Sequence, residues 1–154
     1  MGMTTILLAD DHQVVREGFS ALLRQEPDFK IVGEAGDGIE TVRLAEQLQP
    51  AVVVADVMMP GLNGLEVTRQ IVRRLPDTKV VLLSMHRNEA YVVQALHHGA
   101  SAYVLKDASS AELVRAVRET LAGRRYLSPP LSEAAIRAYI EKTRDTINQD
   151  IYAT

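Results

Sequence analysis

A doubly wound α/β fold built on a parallel sheet is the architecture this sequence predicts, and three observations carry it. Five short apolar runs rich in β-branched residues are each followed by a longer stretch with helical spacing. The runs are apolar at successive positions, as strands covered on both faces must be. At 154 residues the chain has the length of one ordinary domain with a short appendage.

The elements follow in order. "TTILLA" (4–9) is the first strand, and Val15, Phe19, Leu22 and Leu23 share one face of the helix after it. "FKIVGEA" (29–35) leads to a helix carrying Val42, Ala45 and Leu48, and "AVVVA" (51–55) to one carrying Leu65, Ile71 and Val72. "KVVLLS" (79–84) precedes Val92, Val93 and Leu96, while "SAYVLK" (101–106) precedes Leu113, Val114, Val117 and Leu121. Asn63 with Glu66, and Ser109 with Glu112, have the spacing of an N-cap with a reciprocating acid. Gly99 and Gly123 stand where helices should stop. "SPP" (128–130) ends the pattern, and beyond it Ile136, Ile140, Ile147 and Ile151 form a helical stripe with Ser132 at the N-cap position. The expected division is therefore a domain over 1–124 and a linker with an amphipathic tail helix over 125–154.

Composition narrows the function. A 47% hydrophobic and 24% charged content is that of a globular protein, and the net charge of −3 offers no electrostatic footprint for nucleic acid. No apolar run reaches the roughly 20 residues that span a bilayer. The first run stops at Asp10-Asp11 without a basic leader, so a cytoplasmic location is expected. Without cysteine, thiol chemistry and zinc–thiolate sites are excluded.

In an open α/β sheet, ligands bind at the carboxyl ends of the strands beside the switch point. In the flavodoxin-like order 2-1-3-4-5, the neighbouring strands one, three, four and five end in Asp10-Asp11, Asp56, Ser84 and Lys106. Clustered carboxylates raise one another's pKa, and a hard divalent cation removes the conflict; an oxygen-only, part-hydrated set suits Mg²⁺. A hydroxyl and an ammonium opposite such acids suit a transferred phosphoryl group. An Asp carboxylate is itself a competent nucleophile, giving an acyl phosphate.

"LLADDH" (7–12), "VVVADVMMPGLNGLE" (52–66), "LLSMH" (82–86) and "GASAYVLKDAS" (99–109) together resemble the receiver domain of bacterial two-component response regulators, over roughly residues 4 to 122. "DDH" and "YVLKDAS" look most like the NarL/FixJ (LuxR-type) subfamily. The resemblance implies that Asp56 is the phosphoacceptor and that Asp11, Asp56 and the Met58 carbonyl hold the metal, with Asp10 reaching it through water. It also implies that Ser84 and Lys106 take the phosphoryl oxygens and that Tyr103 is the switch aromatic. A sensor histidine kinase is the implied donor, and a phosphorylation-dependent homodimer the implied assembly. No membrane partner is implied. Such regulators carry a C-terminal helix-turn-helix domain, so DNA binding is expected only through a domain absent from this chain.

Each residue alone has a plainer reading: Asp10 or Asp11 as an N-cap, Asp56 as a turn residue, Lys106 as a solvated strand end, Tyr103 as a packing aromatic. Joint placement at four strand ends outweighs them. Other histidines are assigned little: His12 to solvent near the acids, His86 to the site mouth, and His97-His98 to a solvated helix end. Three alternatives stand beside a transcription regulator. A stand-alone receiver would serve as a phosphorelay or protein-binding module, and a signalling domain rather than an enzyme is expected in either case. A flavin protein would want a Ser/Thr/Gly-rich turn where "ADDHQ" stands. A phosphohydrolase would want a separate general acid.

Overall fold

The computed structural model describes residues 2–85, 87–129, 131, 137 and 141. Five βα units appear in sequence: β1 (Thr4–Ala9), α1 (Gln13–Arg24), β2 (Phe29–Ala35), α2 (Gly38–Leu48), β3 (Val52–Asp56), α3 (Gly64–Arg74), β4 (Lys79–Ser84), α4 (Glu89–His97), β5 (Ala102–Leu105) and α5 (Ser110–Leu121). A short β6 (Tyr126–Leu127) follows. All the pairings are parallel and the order is β2-β1-β3-β4-β5-β6, so the expected sheet is present with one strand more than the sequence announced. His86 and the tail stripe of Ile136, Ile140, Ile147 and Ile151 with Ser132 lie outside the described residues.

Successive side chains of a strand point to opposite faces, and here they divide the interior into two cores. Leu7, Ala9, Val53, Ala55, Val80, Leu82 and Tyr103 face α2, α3 and α4. Ile6, Leu8, Val52, Val54, Val81, Leu83 and Val104 face α1 and α5, meeting Leu23, Leu113 and Val117. Fully burying one Leu, Ile or Val stabilises the fold by about 1.5–3 kcal/mol, so the three central strands anchor the molecule. Val15, Leu48 and Leu121, read from the sequence as interior, stay more than a third exposed at the margins of their helices.

The caps form in part as expected. Asn63 accepts the Glu66 N–H at 3.0 Å and Ser109 the Glu112 N–H at 3.3 Å. The two acids do other work: Glu66 binds Arg69, and Glu112 takes the Ser128 hydroxyl. Gly99 (φ +99°) and Gly123 (φ +82°) end α4 and α5 in the left-handed conformation that glycine adopts without strain. Among the described residues, no helix is long and apolar enough to cross a membrane.

Candidate functional site

The carboxyl ends of β1, β3, β4 and β5 meet at one edge of the sheet, and parallel pairing sets their register. Ala9 lies opposite Ala55, which brings Asp10 beside Asp56 on neighbouring strands. Asp56 pairs with Leu83 and Ser84 with Leu105, so the hydroxyl and Lys106 arrive at the same level. The Lys106 N–H donates to the Ser84 carbonyl at 2.8 Å, which fixes the start of the lysine side chain.

The ammonium of Lys106 is the centre of the cluster. It donates to Asp56 Oδ2 at 2.8 Å and lies 3.0 Å from Asp10 Oδ2. All three groups are secluded: Asp10 is fully buried, Asp56 is 4% exposed, and the lysine side chain is 13% exposed. Asp10 Oδ1 accepts the His12 N–H at 2.9 Å, and Asp56 Oδ1 accepts the Met58 N–H at 3.1 Å. Asp10 Oδ2 is a buried oxygen without a hydrogen bond; the nearby ammonium lies outside hydrogen-bonding geometry, so the contact is one of charge.

Protonation follows this crowding. Burial raises the pKa of Asp56 above its ordinary value, only partly countered by the hydrogen bonds from Lys106 and the Met58 N–H. Burial works to lower Lys106, but the hydrogen bond to Asp56 and the negative charge of Asp10 outweigh it and the ammonium is held more firmly than usual. One cation shared between two buried acids gives these two directions.

Asp11 lies at the rim. With Asp10, His12 and Asp56 it offers ligand atoms that all fall within 4.8 Å of one another. Three acids against one ammonium leave two formal negative charges. The excess charge, the oxygen donors and the unbonded Asp10 Oδ2 suit a small hard divalent cation. His12 stands at the N-cap position of α1 without a side-chain capping bond and is largely exposed beside the acids, its Nδ1 3.1 Å from Asp11 Oδ1. Met58 exposes its side chain.

Ser84 and Tyr103 sit below the cluster, both buried. Burial raises the Tyr103 hydroxyl above the usual phenol range, and a hydrogen bond with Ser84 opposes that rise. The β3–α3 loop is shaped by glycine. A Cβ on Gly64 would lie 2.4 Å from the Asp56 carbonyl oxygen and 2.7 Å from the Val57 Cα, and Gly61 has φ +80°. Only a residue without a side chain lets α3 begin so close to the strand that ends in Asp56.

The sequence matches a known family. A family model described as the response regulator receiver domain matches residues 6–118. The chain belongs to the response regulator receiver domain family. Among curated relatives, this receiver is 39% identical over 145 residues to the transcriptional regulatory protein DegU of Brevibacillus brevis, covering 94% of the chain and 60% of the relative. It is 38% identical to the nitrate/nitrite response regulator protein NarL of Escherichia coli, covering 94% of the chain and 68% of that protein. The receiver thus spans about two thirds or less of the length of these relatives. A LuxR-family two-component response regulator from Aurantimonas sp. superposes with a TM-score of 0.80 at 38% identity, covering 93% and 99% of the two chains. The signal receiver domain of NarL from Mycobacterium tuberculosis gives 0.78 at 35%, covering 80% and 100%.

Two neighbours of the site escaped the sequence reading. Arg16 reaches back from α1 to donate to the Asp10 carbonyl at 2.6 Å, bracing the β1–α1 turn. Arg87, before α4, and Asp107, next to Lys106, pair at 2.5 Å. Only the cation after "MH" and the acid after Lys106 hinted at that pair.

Proposed function

We propose that this receiver accepts a phosphoryl group on Asp56 from the phosphohistidine of a sensor histidine kinase, and so controls transcription through an output domain outside this chain. What supports the reading most is the Lys106 ammonium held between Asp56 and Asp10 at 2.8 and 3.0 Å, at the strand ends of a family-matched receiver. In the transfer, an Asp56 carboxylate oxygen bonds to phosphorus as the phosphorus–nitrogen bond of the donor breaks, and the imidazole leaves. Lys106 and the Ser84 hydroxyl take the phosphoryl oxygens, by positioning and charge rather than covalent chemistry. Asp11, Asp56 and the Met58 carbonyl would hold Mg²⁺, with Asp10 acting through water. The ion, when bound, offsets the charge that acids and phosphate share.

The signal is a population shift. Moving a two-state equilibrium from 1:99 to 99:1 takes about 5.5 kcal/mol of differential interaction. Hydrogen bonds to charged groups are worth about 1.5–3 kcal/mol each, so contacts from Ser84 and Lys106 made only to the phosphate supply most of it. Ser84 bonds to the buried Tyr103, so drawing the hydroxyl toward the phosphate changes the ring's surroundings and the face by α4 and β5.

Residues 1–124 are the receiver in this reading, and 125–154 the linker toward a DNA-binding domain. The assembly is a phosphorylation-dependent homodimer in the cytoplasm, and the role is signalling rather than turnover. The lengths of DegU and NarL favour this over a stand-alone phosphorelay module. Acetyl phosphate with Mg²⁺ should add one phosphoryl mass, mapped to the Asp56 peptide and lost with hydroxylamine. Undiminished labelling of Asp56→Asn would overturn the assignment.

A further inference from the structure

The sixth strand joins the sheet at a telling place. Tyr126 and Leu127 pair with Ala102 and Tyr103, so β6 lies along the outer edge of the strand that bears the switch aromatic and leads into Lys106. The Tyr126 N–H donates to the Ser101 carbonyl at 3.1 Å, and the Ser128 N–H to the Tyr103 carbonyl at 3.0 Å. The ladder would next need an acceptor for the Leu105 N–H. A side chain supplies it: the Ser128 hydroxyl oxygen accepts that N–H at 3.0 Å and donates its own proton to Glu112 Oε1 at 2.5 Å.

Ser128 is fully buried, so no water competes for these bonds. Tyr126 braces the same knot. Its ring lies 5.8 Å from the Arg115 guanidinium, and burial and a hydrogen bond with Glu112 push its hydroxyl up to about 12. Leu127 and Leu131 pack on the core that contains Tyr103. The amides of Leu105 and Lys106 point opposite ways: the first to Ser128, the second to the Ser84 carbonyl. The end of β5 is therefore gripped between the Ser84 backbone carbonyl of β4 on one side and the Ser128 hydroxyl after α5 on the other.

We propose that Ser128 is a positioning residue of the phosphoacceptor site, linking the attachment of residues 126–128 to the placement of Lys106 and Tyr103. The inference rests on the phosphoacceptor reading above. When Lys106 and Ser84 turn to the phosphoryl group, the end of β5 moves with them, and the Leu105 N–H and Tyr103 carbonyl are displaced against their partners on Ser128. Linkage is reciprocal, so if filling the site strains the Ser128 knot, loosening the knot must alter the affinity of the site by the same factor. The segment that carries the chain onward thus senses the site through backbone bonds.

Titrating the full 154-residue chain with beryllofluoride, a phosphoryl mimic, in Mg²⁺ tests this. In wild type, amide exchange at Leu105 and Ser128 should change on saturation by roughly 2- to 30-fold relative to Leu7 and Leu8, the factor that 0.5–2 kcal/mol of coupling spans. Ser128→Ala should shift beryllofluoride affinity within the same range. Should that variant not fold, the wild-type exchange decides alone. Exchange at both amides unchanged within about twofold, or a folded Ser128→Ala with wild-type affinity, overturns the linkage. A wild-type chain that takes up no beryllofluoride at Asp56 overturns the phosphoacceptor reading, and this inference with it.

Discussion

Replacing Lys106 by Met removes the ammonium that faces two secluded carboxylates while keeping the length and apolar stem of the side chain. Asp10 and Asp56 would then confront each other with no cation between them. Breaking a buried pair by deleting one partner costs about 3–5 kcal/mol, because the remaining charge is uncompensated. For a chain of this size each kcal/mol lowers the melting temperature by about 2–4 °C, so a loss of roughly 6–20 °C is expected at neutral pH. The penalty should shrink on acidification, since Asp56 already binds its proton more readily than an ordinary Asp and binds it more readily still without the lysine. Added Mg²⁺ should recover more stability in the variant than in wild type, the ion standing in for the lost charge. Circular-dichroism melts at pH 7 and pH 5, with and without Mg²⁺, measure all of this. A Lys106→Met protein melting within about 2 °C of wild type at pH 7 would refute the shared-cation account.

Gly64→Ala should destabilise by about 1–3 kcal/mol, since its Cβ has backbone, not a yielding side chain, in its way; denaturant unfolding measures this, and labelling of Asp56 should slow in parallel. Asn63→Ala should cost about 1 kcal/mol through the lost α3 cap, readable in the same experiment. The raised Asp56 pKa fixes a sign: between the unfolded value of 3.8 and the higher folded value the native state holds more protons, so this group's contribution to stability falls as pH rises. Subtracting the stability profile of Asp56→Asn from that of wild type should show that slope. Lys106→Ala should still accept phosphate from a small donor yet fail to shift the amide spectrum around Tyr103; a normal shift would remove the lysine from the switch.

The sheet was legible because its strands are apolar on both faces and its helices keep the 3.6-residue period; neither signal depends on distant contacts. The acids, hydroxyl and lysine were legible because each ends an apolar run, and a polar residue there needs an explanation. β6 was not, because a two-residue strand has no period and "YLSPP" reads as punctuation. Its pairing depends on an unoccupied edge of β5 and on Glu112, sixteen residues before Ser128. Glu112 itself was read as one half of a capping box: spacing can place an acid near an N-cap but cannot say which of two nearby donors it will choose. Arg16 and the Arg87–Asp107 pair were hidden for the same reason, their partners lying on other elements.

Asp10 and Asp56 leave adjacent strands whose alanines, Ala9 and Ala55, stand directly opposite each other. The gap between the two acids is therefore a property of the β-ladder, as constant as the spacing of rungs. Apart from positions such as Gly64, where the close approach of α3 leaves no room for a side chain, a change in the loops above leaves the distance between the two acids as the ladder sets it.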